Sequence, residues 1–161
     1  MRSMSNIPCM IARAARRLPW LLACALALAA VAPQAAADCA PRVRDGWIRL
    51  TPGGMPMHAG FGRIDNPCPM PVTIVGASSP GYASVELHET RLVDGVSRMR
   101  AVPRLRVAPD GAAVFKPGGL HLMLMKPAAT LKAGSRVAVQ FQTSDGRKLL
   151  GEFEVRAPAA P

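Results

Sequence analysis

The feature that most constrains the fold is a series of short β-rich runs separated by turn residues. From residue 43 onward these runs recur at the spacing that is typical of all-β domains. Eight or nine short strands in one small domain predict a β-sandwich or Greek-key barrel. The predicted strands are Val43–Leu50, His58–Ile64, Val72–Ala77, Ser84–Val93, Val96–Met99, Ala112–Phe115, Leu120–Met125, Arg136–Gln142 and Lys148–Val155.

The part of the chain that forms this fold is expected to begin after an export signal. Arg13, Arg16 and Arg17 precede the apolar run Leu18–Val31, and the small residues Ala35–Ala37 follow it. This arrangement is typical of a cleaved signal peptide. We therefore predict a signal over residues 1–37, cleavage before Asp38, and a periplasmic protein without a membrane span after cleavage.

Two other export interpretations remain open. Leu21–Cys24 resembles the site at which a lipoprotein cysteine is modified, although the apolar run continues beyond Cys24. Arg16 and Arg17 could also belong to a twin-arginine signal. After cleavage before Asp38, residues 38–161 are expected to form one domain, with at most a helical turn near Ala128–Leu131 and a disordered tail over residues 157–161.

Charge and cysteine content limit the classes of function. Residues 38–161 carry 16 Lys and Arg against 10 Asp and Glu, a net charge of +6 without a dense basic block. With so few aromatics, the pattern does not indicate nucleic-acid binding. Cys39 and Cys68 are the only cysteines after the signal, and in an oxidising compartment such a pair most often forms a disulfide. A thiolate metal or redox site is the alternative, although it lacks the CxxC spacing.

Strict alternation in Leu120–Met125 places one histidine and two methionines on a common face of a strand. Three leucines take the other face, while His121 and Met123 lie about 6.6 Å apart along the strand, close enough to converge on one ion. Met125 shares their face, and we interpret it as an apolar wall beside the ion.

A predicted hairpin turning at Asp94-Gly95 supplies a second histidine and methionine. With a two-residue loop Thr90 opposes Met99 and His88 is its diagonal neighbour, whereas with a four-residue loop His88 faces Met99 directly. Either even loop places both side chains on the same face, and a three-residue loop would separate them.

Two imidazoles and two thioethers form a soft donor set that suits Cu(I) better than zinc, magnesium or calcium. It lacks the thiolate of a blue-copper centre, so electron transfer is not expected as the main function. The competing interpretation is that the methionines fill the core. A second soft cluster, Met55, Met57 and His58, is either an auxiliary copper site or a flexible loop leading into a strand, and we favour the loop.

At these residues the sequence resembles the periplasmic copper chaperones called PCuAC. The family pattern is a histidine, ten residues, a methionine, twenty-one residues, a histidine, one residue and a methionine. His88, Met99, His121 and Met123 match it without a gap, and the resemblance extends over Trp47–Val155. Some relatives carry a His- and Met-rich C-terminal tail that this sequence lacks.

The resemblance implies a cupredoxin-like Greek-key β-sandwich that binds one Cu(I) near the surface. It also implies delivery of copper to the CuA or a related centre of a respiratory oxidase, with Sco-type thiol proteins and cytochrome oxidase subunit II as partners. A copper-sequestration or resistance protein using the same site is the main alternative, and an adhesion-type β-sandwich is a third. His88 and Glu89 with a nearby serine are the only loose hydrolase arrangement, and no nucleophile elbow accompanies them. The protein is therefore expected not to be an enzyme.

Overall fold

A computed structural model describes residues 39–158 of the chain, and these residues form ten β-strands with almost no helix. The predicted signal segment, Cys24 and the last residues of the tail lie outside the described residues. No helix in the described part is long and apolar enough to cross a bilayer. The strands are β1 (Arg42–Arg49), β2 (Met57–Asn66), β3 (Val72–Ser78), β4 (Tyr82–Val93), β5 (Val96–Ala101), β6 (Leu105–Val107), β7 (Gly111–Phe115), β8 (Leu120–Pro127), β9 (Arg136–Thr143) and β10 (Lys148–Arg156).

All nine predicted strands are present, with ends that differ by a few residues. Strand β6 was not predicted, because it has only three residues and therefore shows no clear alternation. No helical turn forms at Ala128–Leu131; the short helix is instead the 3₁₀ turn Pro52–Gly54, where positive φ values require glycine.

The strands wrap into a closed β-sandwich. Neighbouring strands follow the order β5-β4-β8-β2-β1-β10-β9-β3-β6, and β3 also pairs with β4 through Ala77 and Val85. That pairing closes a circuit of seven strands, which removes most of the free sheet edges. The single all-β domain predicted from the sequence is therefore confirmed.

Alternation along the strands builds the core. Each of β8, β9 and β10 alternates between residues that are buried in the core and residues that lie on the outer face. The resulting cluster includes Ile48, Ile64, Ile74, Leu122, Leu124, Val139, Phe141 and Phe153, all of them fully or almost fully buried. The outward residues of the same strands remain available for function.

A disulfide joins the start of the domain to the loop after β2. Cys39 and Cys68 are bonded, with their Cα atoms 5.3 Å apart. The Cys68 carbonyl also accepts a hydrogen bond from the amide of Asp110. The predicted disulfide is therefore confirmed, and it encloses the β1–β2 hairpin.

Candidate metal centre

Strand β8 presents the predicted faces. Leu122 and Leu124 are completely buried in the core, whereas Met123 and Met125 lie half-buried on the outer face. His121 lies on that outer face too and is only 7% exposed. Alternation within one strand was sufficient to assign these faces, because neighbouring side chains of a strand must point in opposite directions.

The β4–β5 hairpin turns on the two residues Asp94 and Gly95, both with positive φ. Such a turn matches the twist of the flanking strands. Thr90 is therefore directly opposite Met99, and His88 is the diagonal neighbour of Met99 on the same face. Of the loop lengths considered from the sequence, the two-residue loop is the one that forms.

Pairing of β4 with β8 places the two histidines directly opposite each other. His88 is in register with His121, and their ring centroids lie 6.2 Å apart. A metal–nitrogen bond is about 2.0–2.1 Å, so two imidazoles bound to one ion have centroids separated by about 6 Å or less. The observed separation is close to this limit, so the two rings are near enough for one ion to lie between them.

The ring of His121 is oriented by a nearby carbonyl group. Its Nδ1 lies 2.8 Å from the carbonyl oxygen of Gly119. Because a carbonyl oxygen only accepts hydrogen bonds, Nδ1 carries the proton and donates it. The lone pair of His121 therefore lies on Nε2, which is the atom that can bind a metal.

The ring of His88 is oriented by a carboxylate, and its proton is on the other ring nitrogen from that of His121. Its Nε2 lies 3.0 Å from Oε2 of Glu86 and donates a hydrogen bond to it. Nδ1 of His88 then carries the lone pair. Among the residues that the structure describes, it is the one buried side-chain nitrogen or oxygen without a hydrogen-bond partner. An unpaired buried polar group costs about 1–3 kcal/mol, and a metal–nitrogen bond would offset that cost.

Glu86 is a further candidate residue of this site, and it was not predicted from the sequence. It lies two positions before His88 on β4 and directly opposite Met123 on β8. Carboxylates that hold the far nitrogen of a metal-bound histidine fix its tautomer and raise its basicity. The signal was present in the sequence, because alternation along a strand already puts residues 86 and 88 on one face.

The two thioethers differ in exposure. Met99 is 54% exposed, whereas Met123 is half-buried between β4 and β2. Neither belongs to the core cluster or packs against it. These methionines are therefore not explained as core filling, and Met99 is the donor most accessible to another molecule.

Arginines are close to this face but are engaged elsewhere. Arg91 and Arg100 both bind the carboxylate of Glu89, at 2.9 and 2.8 Å, and these contacts lower the pKa of Glu89. Glu89 alternates with His88 and so points away from the metal face. The carboxylate next to the histidines is therefore Glu86 alone in this stretch of β4.

The second soft cluster of the sequence is divided by the fold. His58 is buried on the core side, where Nδ1 hydrogen-bonds the Tyr82 hydroxyl at 2.9 Å. It lines an open cleft of about 570 Å³ together with Met55. Met57 is the preceding residue of β2 and lies on the opposite face, in register with Met125. The three residues do not converge, and Met57–His58 begins a strand.

Comparison with known proteins places this chain in a family. Residues 42–157 match the model of the family described as "Putative lipoprotein LpqE-like". "Putative lipoprotein Lxx21020" of Leifsonia xyli subsp. xyli is 35% identical over 106 residues, covering 65% of this chain and 63% of the relative. The chain thus spans less than two thirds of that relative's length.

Solved structures share the fold. The Cu(I) form of DR1885 from Deinococcus radiodurans has a TM-score of 0.60 at 28% identity, covering 78% of this chain and 85% of that one. The copper-bound PCuAC domain of PmoF2 has a TM-score of 0.60 at 17% identity, covering 73% and 93%, a likeness that shows the fold alone. Because the family match extends over nearly all the described residues, the chain belongs to the LpqE-like family, whose fold here is that of PCuAC domains.

Proposed function

We propose that this protein binds one Cu(I) through His88, Met99, His121 and Met123 and transfers it to another protein. The observation that carries the proposal is the cross-strand pair of histidines, in which each ring has one nitrogen hydrogen-bonded and the other free. Thioethers on the same face complete a donor set that favours Cu(I). The relative DR1885 was solved with Cu(I), which supports the same ion here.

Each side chain has a distinct task in this proposal. Nδ1 of His88 and Nε2 of His121 are the nitrogen donors, and Glu86 and the Gly119 carbonyl hold the rings in place. Met123 is a shielded thioether. Met99 is exposed, and we infer that an acceptor protein replaces this ligand first.

The task is binding rather than catalysis. The four donors are neutral when they bind Cu(I), so the ion and its ligands together carry a charge of about +1. The carboxylate of Glu86 is a separate negative charge beside them. A soft, low-charge site near the surface releases its ion by ligand exchange with a competing thiolate or thioether. Sco-type thiol proteins and cytochrome oxidase subunit II are the partners we propose, with an oxidase copper centre as the destination.

We also propose that the protein acts outside the cytoplasm, as a periplasmic protein after cleavage before Asp38. The lipoprotein descriptions of the family and of the relative support export. They also favour a second form, in which Cys24 is lipidated and retained. The mass of the mature protein separates the two, because the first begins at Asp38 and the second carries acyl chains on Cys24.

X-ray absorption of the Cu(I)-loaded protein tests the site. The expected spectrum shows both sulfur and nitrogen neighbours, and a spectrum with only nitrogen and oxygen neighbours would refute the assignment.

Replacing Met99 and Met123 by Leu nearly preserves side-chain volume while removing the sulfur atoms. Copper affinity should fall sharply while the melting temperature changes little. Met70→Leu is the matched control, since Met70 is an exposed loop residue.

A deletion strain grown at limiting copper tests the role. Delivery predicts a loss of oxidase activity that added copper restores. Increased sensitivity to excess copper, with normal oxidase activity, would instead indicate sequestration.

A further inference from the structure

The outer face that carries the proposed copper site continues past it and carries two more methionines. Met57 on β2 is in register with Met125 on β8. Met123 is two residues from Met125 on the same face and lies opposite Ala59. After residue 38 the sequence contains six methionines, and four of them lie on this one face: Met57, Met99, Met123 and Met125.

These side chains are not there to fill the core. Met57, Met123 and Met125 are half-buried, and none belongs to the core cluster or packs against it. The opposite face of β8 carries the completely buried leucines that do fill the core. The residue directly opposite Met123 on β2 is Ala59, which has a small side chain.

Strand geometry allows the three sulfur atoms to meet. Directly opposite residues have Cβ atoms about 4.5–5.5 Å apart, and residues two apart on a strand are separated by about 6.6 Å. Methionine side chains have three rotatable bonds and adapt to irregular spaces. All three sulfurs can therefore converge on one ion from two neighbouring strands.

We propose that Met57, Met123 and Met125 form a second, all-thioether position for Cu(I), next to the histidine site and sharing Met123 with it. This inference rests on the proposed function. Neutral thioethers select a soft monovalent ion, and without imidazole the position binds more weakly. Because Met123 belongs to both positions, the chain still holds one ion, which moves between them by exchanging the other ligands.

The position gives the ion a route along the sheet. Met99 is the exposed donor at the hairpin end of the face, and Met57 lies at the other end, beyond β8. An ion at Met57 and Met125 would have left both histidines without leaving the protein. This assigns Met57 and Met125 a role in loading or release, and Met125 is then a ligand rather than only an apolar wall.

The test uses protein carrying ¹³C-methyl methionine, titrated anaerobically with Cu(I) alone. In the variant His88→Gln/His121→Gln the histidine site is removed. We expect the methyl signals of Met57, Met123 and Met125 to shift together, with an affinity at least tenfold weaker than that of the native protein. The exposed Met70 is the internal control and should not shift. Adding Met57→Leu and Met125→Leu should abolish the binding.

If that variant is folded and the signals of Met57 and Met125 do not shift, the inference is wrong, while the histidine site of the native protein still stands. If native protein binds Cu(I) without any effect on His88 and His121, the proposed function fails instead.

Should the double histidine variant not fold, the native background provides the test. Met57→Leu/Met125→Leu should slow transfer of Cu(I) to a chelator at least threefold, relative to Met70→Leu. Equal transfer rates would overturn the inference.

Discussion

Removal of the Glu86 carboxylate is the sharpest test of how the histidine site is built. Glu86→Ala removes the acceptor from Nε2 of His88, and that hydrogen bond is 3.0 Å long. The ring can then rotate or change tautomer, so the lone pair on Nδ1 is no longer held toward the proposed copper position. Glu86→Gln keeps an acceptor atom in place and removes only the charge.

The expected magnitude follows from the position of Glu86. Partners that orient a metal-bound histidine typically contribute 10–100-fold in affinity. Glu86 is half-exposed at 49%, so water screens its charge and can replace part of its hydrogen bond. We therefore expect the lower end for Glu86→Ala, about tenfold or about 1.4 kcal/mol, and a few-fold loss for Glu86→Gln.

The assay is competition for Cu(I) against a chelator of known affinity, at neutral pH and without oxygen. Glu89→Gln is the matched control, because Glu89 lies on the same strand but binds arginines instead of a histidine. An unchanged affinity in Glu86→Ala would show that Glu86 does not orient His88 for binding Cu(I). An equal loss of affinity in Glu89→Gln would show that any loss of negative charge on β4 weakens Cu(I) binding.

Three further predictions concern stability and are independent of the metal. Replacing Cys39 and Cys68 by Ser should lower the free energy of unfolding by about 3–4 kcal/mol, because the disulfide closes a loop of about 30 residues. Chemical denaturation measures this free energy, and the variant should still bind one Cu(I) per chain. Loss of copper in a folded double Ser variant would make the thiols ligands or relay groups. Tyr82→Phe should cost about 1–2 kcal/mol, because it leaves Nδ1 of His58 unpaired in a buried place; a cost near zero would show that water replaces the hydroxyl. Burial lowers the pKa of His58 below its usual value of 6.5. Between the lowered pKa and about pH 7 the unfolded chain therefore binds more protons than the folded protein. The folded protein loses stability as the pH falls through this range. His58→Gln should flatten this part of the stability curve, and an identical pH dependence in the variant would contradict the assignment.

Much of the fold follows from local patterns in the sequence, namely β-rich runs, alternation and turn residues. Short β-rich runs between turn residues predicted nine strands. Alternation then assigned the faces of β8, because neighbouring side chains of a strand point in opposite directions. Asp94-Gly95 predicted a hairpin because both positions favour the positive φ values that its turn requires. β6 escaped prediction because three residues are too few to establish a period.

The candidate site shows where such patterns stop being sufficient. The sequence placed His88 near Met99 and His121 near Met123 as two separate pairs. It also contained Glu86 on the face of His88, but alternation alone does not show that this carboxylate binds the histidine ring. The loop length that decides whether His88 is opposite or diagonal to Met99 was left open, since both even loops preserve the face.

The strands, their faces, the soft donor set and the cysteines available for a disulfide follow from the sequence alone, because they depend on residue type and on neighbours a few positions away. The pairing of β4 with β8, which sets His88 opposite His121, and the position of Met57 on β2 beside Met125 are properties of the complete fold. The complete fold also places His58 on the core side, apart from Met57. The physical reason is that pairing between distant strands depends on how the whole set of apolar faces closes around one core, and no local pattern contains that information.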